Sequence, residues 1–259
     1  MARLLFFDSH THLNDEQFAD DIAAVWERAR NGGVTRALVL GFSLETSLRA
    51  VELAGRLEGL YAAVGIHPHS AEAADAAAMR RIDDLAAEPR VVAIGETGLD
   101  FSRGTERQVV QEAAFGAHLD LAVARDLPVI VHVRDAFDAT LAVLQDYPGR
   151  GVIHCYTGDA AQLAGFLRLD LYISFAGVIT YPSGSQAGEA LKIMPGDRLL
   201  IETDSPHLAP QSRRGKRNEP VNLVETATRA AELRGIDLDD LAATTDRNAA
   251  RLFGLDADQ

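Results

Sequence analysis

Cysteine and positive charge are both scarce in this chain of 259 residues. Cys155 is the single cysteine, so no intramolecular disulfide can form and a reducing compartment is the expected setting. Lys and Arg number 25 against 38 Asp and Glu, which gives a formal charge of -13. Such a surface does not coat nucleic acid, because phosphate binding requires local positive charge. Any acidic substrate must therefore meet a small cationic spot or a metal.

Long apolar runs are missing as well. No run approaches the ~20 residues that span a bilayer, and Asp8 and His10 arrive too early for a signal peptide. We therefore expect a cytoplasmic protein with no membrane association. The composition, 47% hydrophobic and 24% charged, excludes disorder as the main state. The length suits one hydrophobic core, which predicts a single domain over residues 1–259.

Short apolar runs alternate with longer stretches of helical periodicity along the whole chain. The runs are almost wholly apolar, as expected of parallel strands covered on both faces. They occupy residues 4–8, 36–41, 61–65, 91–95, 128–132, 151–154, 171–175 and 199–202. A helix with the stripe Phe18, Ile22, Val25, Trp26 and Ala29 is stopped by Gly32 and Gly33. Further helices are predicted from Thr105 and at 43–57, 135–146, 159–168, 186–194, 219–234 and 238–253.

This alternation predicts an α/β fold, a (β/α)₈ TIM barrel, because eight strand–helix units in about 250 residues are typical of it. The alternative is an open doubly wound sheet. Against that alternative, no glycine-rich phosphate loop follows the first strand.

Histidines gather where a barrel carries its chemistry, at the carboxyl ends of the strands. Seven of the eight follow or close a predicted strand, and only His118 lies in a helix. Glu96 and Asp204 also follow strands. The strand-end histidines are His10, His12, His67, His69, His132, His154 and His207.

Imidazoles and carboxylates that converge on one mouth are ligands for Zn²⁺, Mn²⁺ or Fe²⁺, and less typically Mg²⁺. His10 and His12 form an H-x-H pair whose rings can turn the same way. Taken alone, the pair is a weak indication of metal, and the alternative is a pair of exposed or hydrogen-bonded histidines at a turn. With Glu96, His132, His154 and Asp204, the set exceeds what one tetrahedral ion uses. One or two divalent ions are predicted, with two favoured.

Seven motifs, in order, resemble those of the TatD family of metal-dependent hydrolases. They are Asp8-Ser9-His10-Thr11-His12-Leu13, Gly65-Ile66-His67-Pro68-His69, Gly95-Glu96-Thr97-Gly98-Leu99-Asp100, His132-Val133-Arg134, His154-Cys155-Tyr156-Thr157-Gly158, Glu202-Thr203-Asp204-Ser205-Pro206 and Arg214-Gly215-Lys216-Arg217-Asn218-Glu219-Pro220. The resemblance spans residue 8 to about 220, which is most of the chain. It implies an amidohydrolase-like TIM barrel with one or two metals and nuclease activity on DNA.

The resemblance also implies the site residues. Metal ligands would be His10, His12, Glu96, His132, His154 and Asp204, with Glu96 bridging two ions. The chain has Thr97, Tyr156 and His207 where the family often has isoleucine, phenylalanine and an aromatic residue. None of these departures removes a ligand.

Individual residues around the predicted site have alternative interpretations. Asp204 is expected to be a ligand that also deprotonates the attacking water, whereas Asp-Ser-Pro would also suit a helix N-cap. Glu202 could support a ligand, and Asp100 is interpreted as structural or supporting. His67 is predicted to contact a substrate phosphate or to protonate the leaving group, with a loop-capping role as the alternative.

Two further expectations concern residues beside the predicted ligands. For His69 the residues do not decide between function and structure. Cys155 should face away from His154, as a small buried apolar group, because neighbours in a strand point to opposite faces.

A cationic segment, Arg213-Arg214-Gly215-Lys216-Arg217, follows the eighth strand. In a barrel it would overhang the same mouth as Asp204. Arg214, Lys216 and Arg217 are therefore predicted to bind a substrate phosphate, although a solvated loop is the alternative.

The leading function is hydrolysis of DNA phosphodiester bonds by a metal-activated water. A DNA end or a short phosphate-bearing fragment is the expected substrate, with no membrane and no obligate protein partner. One alternative is attack on a carbonyl, in a small amide or ester or in aminoacyl-tRNA. The other is a non-catalytic metal-binding barrel.

Overall fold

A computed structural model of the protein describes residues 5–255. Eight parallel strands form one sheet in the order β1 to β8, so that each strand pairs with its neighbours in sequence. They are Phe6–Thr11 (β1), Val34–Leu40 (β2), Leu60–Val64 (β3), Val91–Asp100 (β4), Val129–Arg134 (β5), Gly151–Ile153 (β6), Tyr172–Phe175 (β7) and Leu199–Ile201 (β8). The predicted TIM barrel is confirmed.

A helix follows every strand, and a ninth ends the described chain. The helices are Ile22–Asn31 (α1), Leu44–Arg56 (α2), Ala76–Ala86 (α3), Gln108–Arg125 (α4), Phe137–Leu144 (α5), Ala160–Leu167 (α6), Ser185–Ile193 (α7), Leu223–Arg234 (α8) and Leu238–Phe253 (α9). Helix α3 was not among the sequence expectations. Its start is marked by Asp75, whose carboxylate accepts hydrogen bonds from the N–H groups of Ala77 and Ala78.

Several predicted bounds are wrong by a few residues, and three of the shifts concern the site. The first predicted strand, 4–8, begins outside the described residues at Leu4, and β1 continues to Thr11, so His10 lies within a strand. Strand β4 runs on to Asp100, which places Glu96 inside it and not after it. Strand β6 ends at Ile153, so His154 follows it.

Two smaller shifts affect helix starts. Phe18 lies in a 3₁₀ turn before α1. Helix α4 begins at Gln108 and not at Thr105.

Two apolar layers surround the strands, one inside the barrel and one between barrel and helices. The inner layer includes Phe7, Ile130, Val152 and Leu200, and the end of α9 joins it. The ring of Phe253 stacks on that of Phe7 with centroids 5.5 Å apart. Because Phe7 lies near the start of β1, α9 covers the amino-terminal end of the barrel. The carboxyl end is left for the site.

The chain after β8 closes the barrel against β1. Thr11 and Ser205 form a parallel bridge, the Asp204 N–H donates to the His10 carbonyl at 2.9 Å, and the His12 N–H donates to the Ser205 carbonyl at 2.7 Å. These backbone bonds hold His10, His12 and Asp204 side by side.

No helix within residues 5–255 has the length and apolarity that a membrane crossing requires. The expected extent of one domain over residues 1–259 and the cytoplasmic location stay predictions.

Candidate metal centre

A cavity of about 770 Å³ opens at the carboxyl ends of the strands. Strands β4 and β5 and the residues after β1, β3, β6 and β8 each contribute to its polar wall. The structure brings all six predicted ligands to this place. Those with a side chain in the wall are His12, Glu96, His132, His154 and Asp204, and His10 lies buried behind them.

Four atoms form a first group of potential ligands: the Nε2 atoms of His10 and His12, Glu96 Oε2 and Asp204 Oδ1. The two nitrogens lie 3.2 Å apart. Glu96 Oε2 is 3.5 Å from the His10 nitrogen and 3.6 Å from that of His12. Asp204 Oδ1 is 3.6 Å and 3.4 Å from the same two atoms. Ligand atoms around a tetrahedral zinc ion lie about 3.4 Å from one another, since the zinc–ligand bonds are about 2.1 Å long. The separations that involve the two imidazoles therefore suit one divalent ion, and His10, His12 and Glu96 are close enough to share it.

The other oxygen of Glu96 faces a second group. Glu96 Oε1 is 2.9 Å from His132 Nδ1 and 2.9 Å from His154 Nε2, and the two nitrogens are 3.2 Å apart. One carboxylate thus offers an oxygen to each group, which is the arrangement of a bridging ligand. The assignment of the six residues as ligands stays a prediction that this geometry supports.

Further groups hold the imidazoles in place through their second ring nitrogens. His132 Nε2 lies 3.0 Å from Asp100 Oδ2, and His154 Nδ1 lies 3.2 Å from Glu202 Oε1. His12 Nδ1 is 3.4 Å from the carbonyl of Leu40. Such contacts fix the tautomer and orientation of metal-binding histidines. Asp100 and Glu202 are thus placed to support the cluster.

The buried charges of the cluster compensate one another. Burial by itself would raise the pKa of Glu96, but the imidazoles of His154 and His67 outweigh it and hold that pKa well below its ordinary value. Burial would lower the pKa of His154, whereas the carboxylates of Glu96 and Glu202 raise it well above the ordinary value. Since imidazole binds metal only when deprotonated, ion binding would release these protons.

Asp204 projects into the cavity from a left-handed backbone conformation, with φ of 54°. Burial would raise its pKa, but a hydrogen bond from His12 and the proximity of His10 lower it below the ordinary value, which favours the carboxylate. A short 3₁₀ helix begins at Gln211 and the next α-helix at Leu223, so no helix starts at Asp204. The alternative interpretation of Asp204 as a helix N-cap is therefore wrong.

His67 turns one ring nitrogen to the cavity. Its Nδ1 accepts the N–H of His69 at 3.1 Å, so the proton of a neutral ring lies on Nε2, which is 3.6 Å from Glu96 Oε1. The ring is therefore a hydrogen-bond donor toward the cluster and also caps its own loop. His69 Nε2 lies 3.0 Å from Asp100 Oδ2, and His207 also lines the cavity.

Cys155 departs from its expected orientation. Because β6 ends at Ile153 and the backbone of Cys155 is left-handed, with φ of 46°, strand alternation does not apply. The side chain is half-buried and lines the cavity. The expectation that Cys155 faces away from the mouth is wrong.

The cationic segment 213–217 does not line the cavity. Arg217 donates to both oxygens of Asp21, at 2.9 and 2.8 Å, and to Glu219 at 3.0 Å. Its guanidinium also lies 4.7 Å from the ring centre of Phe18. Arg217 therefore holds the loop against α1. Arg214 is exposed and lies over the ring of Tyr181, and Lys216 is exposed.

The motif His132-Val133-Arg134 is evident in the sequence, but no function was predicted for Arg134. Arg134 ends β5 and lines the cavity. Among residues 5–255 it is the sole Lys or Arg in that lining. Its guanidinium forms no ion pair or hydrogen bond with another described residue. The signal was its position two residues after His132, because alternate strand residues share a face.

An eight-stranded barrel with this cluster at its carboxyl mouth defines a class, the metal-dependent hydrolases. The model of a family described as TatD related DNase matches residues 7–254. The chain therefore belongs to the TatD family, and the resemblance seen in the motifs is confirmed.

Relatives and solved structures agree with this assignment. The uncharacterized metal-dependent hydrolase YabD of Bacillus subtilis is 38% identical over 252 residues, which cover 96% of this chain and 99% of that protein. The 3'-5' ssDNA/RNA exonuclease TatD of Escherichia coli K12 is 38% identical over 258 residues, with coverage of 96% and 99%. The crystal structure of YJJV, a TatD homologue from Escherichia coli K12, superposes with a TM-score of 0.92 at 30% identity and covers 97% of this chain and 98% of its own.

Proposed function

We propose that this metal-dependent hydrolase cleaves phosphodiester bonds at an end of single-stranded nucleic acid, starting from the 3' end. The observation that carries the proposal is one carboxylate, Glu96, shared between two groups of ligand atoms beside the unpaired cation Arg134. Two facing ion positions suit displacement at a phosphoryl group. The relatives named 3'-5' ssDNA/RNA exonuclease support this substrate and polarity.

His10, His12, Glu96 and Asp204 would hold one ion, and Glu96, His132 and His154 the other. Nitrogen and carboxylate donors together favour Zn²⁺ or Mn²⁺ over Mg²⁺. When bound, the ions supply a water of lowered pKa and polarise the phosphoryl oxygen.

The protein's own side chains would then perform three tasks. Asp204 Oδ1 faces His10 and His12, and Oδ2 is proposed to accept the proton of the attacking water. His67, as a donor through Nε2, would hold a phosphoryl oxygen. We prefer this role to protonation of the leaving group. Because His67 Nδ1 accepts the His69 N–H, the ring is held in its neutral form, which is a poor proton donor.

The third task, binding the scissile phosphate, falls to Arg134 as a charge-assisted donor. Arg214 and Lys216 stay candidates for a more distant phosphate. Arg217 is committed to Asp21 and Glu219. A cation beside the centre favours an anionic phosphoryl group over a neutral carbonyl, and no observation favours a carbonyl substrate or a non-catalytic barrel.

Single-stranded oligonucleotides labelled at the 3' or the 5' end test the proposal. The metal-loaded protein should release mononucleotides from the 3' end. Asp204→Asn should lower kcat about 100-fold or more, as loss of a general base does, and metal content measured on the same samples separates catalysis from ion loss. Gln145→Ala, an exposed change on the far end of α5, is the control. Full activity of Asp204→Asn with both ions bound would refute its role, and no hydrolysis by the wild type would refute the function.

A further inference from the structure

A second cavity, of about 630 Å³, adjoins the metal centre. The two cavities share Asp135 and Thr157 in their walls, so they lie side by side at the barrel mouth. We call the second one the side groove. Its wall includes Phe101, Gln108, Asp135, Phe137, Gln162 and Gln186.

Two half-buried phenylalanine rings give the side groove aromatic surface. Phe137 is held from behind, since its ring meets that of Tyr156 edge-on with centroids 5.9 Å apart. Phe101 follows β4 directly, next to Asp100 of the metal centre. Fixed aromatic rings along a nucleic-acid path are stacking surfaces for unpaired bases.

Amide groups in the same wall have unused hydrogen-bonding capacity. Gln162 accepts the Asp159 N–H through Oε1, which leaves its NH₂ group free, and Gln108 donates to Glu112, which leaves its Oε1 free. Gln186 is exposed at the start of α7 and makes no side-chain hydrogen bond within the described chain. Donors and acceptors of this kind match the edges of nucleobases.

The charge of the side groove excludes a phosphate as its ligand. Its wall includes the carboxylates of Asp135 and Asp138 and no Lys or Arg among residues 5–255. Neither carboxylate forms an ion pair with another described residue. Carboxylates repel phosphate but accept hydrogen bonds from the amino groups of bases.

We propose that the side groove binds the base of the penultimate nucleotide, next to the scissile bond, when a strand end occupies the metal centre. The inference rests on the proposed nuclease function and extends it to a base subsite. It also gives a physical reason for a single-stranded substrate, because a base in a duplex cannot leave its stack without an energetic cost.

Oligonucleotides with one abasic unit test the subsite. An abasic unit at the penultimate position should lower kcat/KM of the wild type about fivefold or more, the size expected for one stacked base. An abasic unit six nucleotides farther from the end is the substrate control and should have no effect.

Substitutions in the side groove test the same subsite by changing the protein. Phe101→Leu keeps apolar packing but removes the ring, and should lose about fivefold in kcat/KM on the intact strand while the abasic penalty disappears. Phe101→Tyr should retain both activity and penalty. Gln186→Ala, an exposed change, should cost about two- to fivefold through one hydrogen bond, and Gln145→Ala should cost nothing.

These outcomes distinguish failure of the proposed subsite from failure of the proposed nuclease function. If the wild type cleaves strand ends but shows no penalty for the penultimate abasic unit, or if Phe101→Leu keeps the full penalty, the subsite is refuted and the nuclease stands. If the wild type cleaves no nucleic acid at all, the proposed function fails and the subsite with it.

Discussion

In the second ligand group, both ring nitrogens of each histidine lie within hydrogen-bonding distance of a carboxylate. His132 directs Nδ1 to Glu96 and Nε2 to Asp100, while His154 directs Nε2 to Glu96 and Nδ1 to Glu202. Each imidazole therefore lies between a carboxylate shared by the two groups and one outside them. An outer carboxylate raises the basicity of the ring and limits its rotation. The proposed second ion position would consequently depend on Asp100 and Glu202 as well as on its ligands.

Asp100→Asn and Glu202→Gln should each weaken metal binding at the second position about 10- to 100-fold. The amides keep the size of the side chain but remove the charge that stabilises the bound state of the histidine. Competition titration with a chelator of known affinity measures the change. Glu52→Gln, on the exposed face of α2, provides the matched control, and unchanged affinities in both site variants would contradict the supporting role.

Residue identity predicted the members of the cluster, but backbone conformation decided what lies beside them. His10, Glu96 and Asp204 were recognisable from their motifs. The inward position of Cys155 was not, because it depends on a left-handed backbone just past a three-residue strand, and alternation presumes an extended chain. The role of Arg217 likewise depends on Asp21 and Phe18, which are distant in sequence.

Among the elements, α4 holds the loop that carries His67. His118, fully buried on α4, accepts the Ile66 N–H through Nε2 at 3.0 Å, and its Nδ1 lies 2.7 Å from the Ala114 carbonyl. Burial lowers the pKa of His118 to about 4. The ring is therefore neutral in the folded protein and connects the helix to the chain after β3.

This histidine makes stability depend on pH. Between its unfolded pKa of 6.5 and its folded pKa of about 4, the unfolded chain binds a proton that the folded protein does not, so stability falls as the pH falls through that window. The loss should be about 2 kcal/mol between pH 7 and pH 5. Urea unfolding at both pH values measures it in the wild type and in His118→Gln, whose amide can still accept the Ile66 N–H.

The variant should lose about 2 kcal/mol less than the wild type over the same interval, because glutamine does not titrate. The histidines of the candidate metal centre are present in both proteins, so their titration cancels in the comparison. Parallel pH dependences of the two proteins would show that His118 is not the group responsible.

Element type was more predictable than element extent. The apolar run 91–95 located β4, but the strand continues to Asp100, because cavity-lining positions are polar and do not extend a hydrophobic run. Helix α3 was missed for a related reason. Its buried face has Ile82 and Ala86 within an alanine-rich stretch, so the contrast between buried and exposed positions is small.

At the scale of the whole molecule, an acidic protein is proposed to act on an acidic polymer. The net charge of -13 repels a strand that approaches along most of the surface. Positive charge at the site would come from the ions and from Arg134. Residues 213–217 do not contribute to it, because they do not line the cavity. Binding should therefore depend on a short stretch at the strand end, and little on the rest of the polymer.

Salt dependence measures how many phosphates the protein contacts through cations. Each phosphate neutralised on a single strand contributes a slope of about -0.7 in log K against log salt. With Arg134 as the one Lys or Arg in the wall among the described residues, the plot of log(1/KM) against log NaCl concentration should be no steeper than about -1, and Arg134→Gln should make it nearly flat. Arg56→Gln, exposed on α2, should leave the slope unchanged. Only phosphate contacts made in the bound state release counterions. A slope of about -3 or steeper that Arg214→Gln reduces and Arg134→Gln does not would therefore assign phosphate binding to the cationic segment.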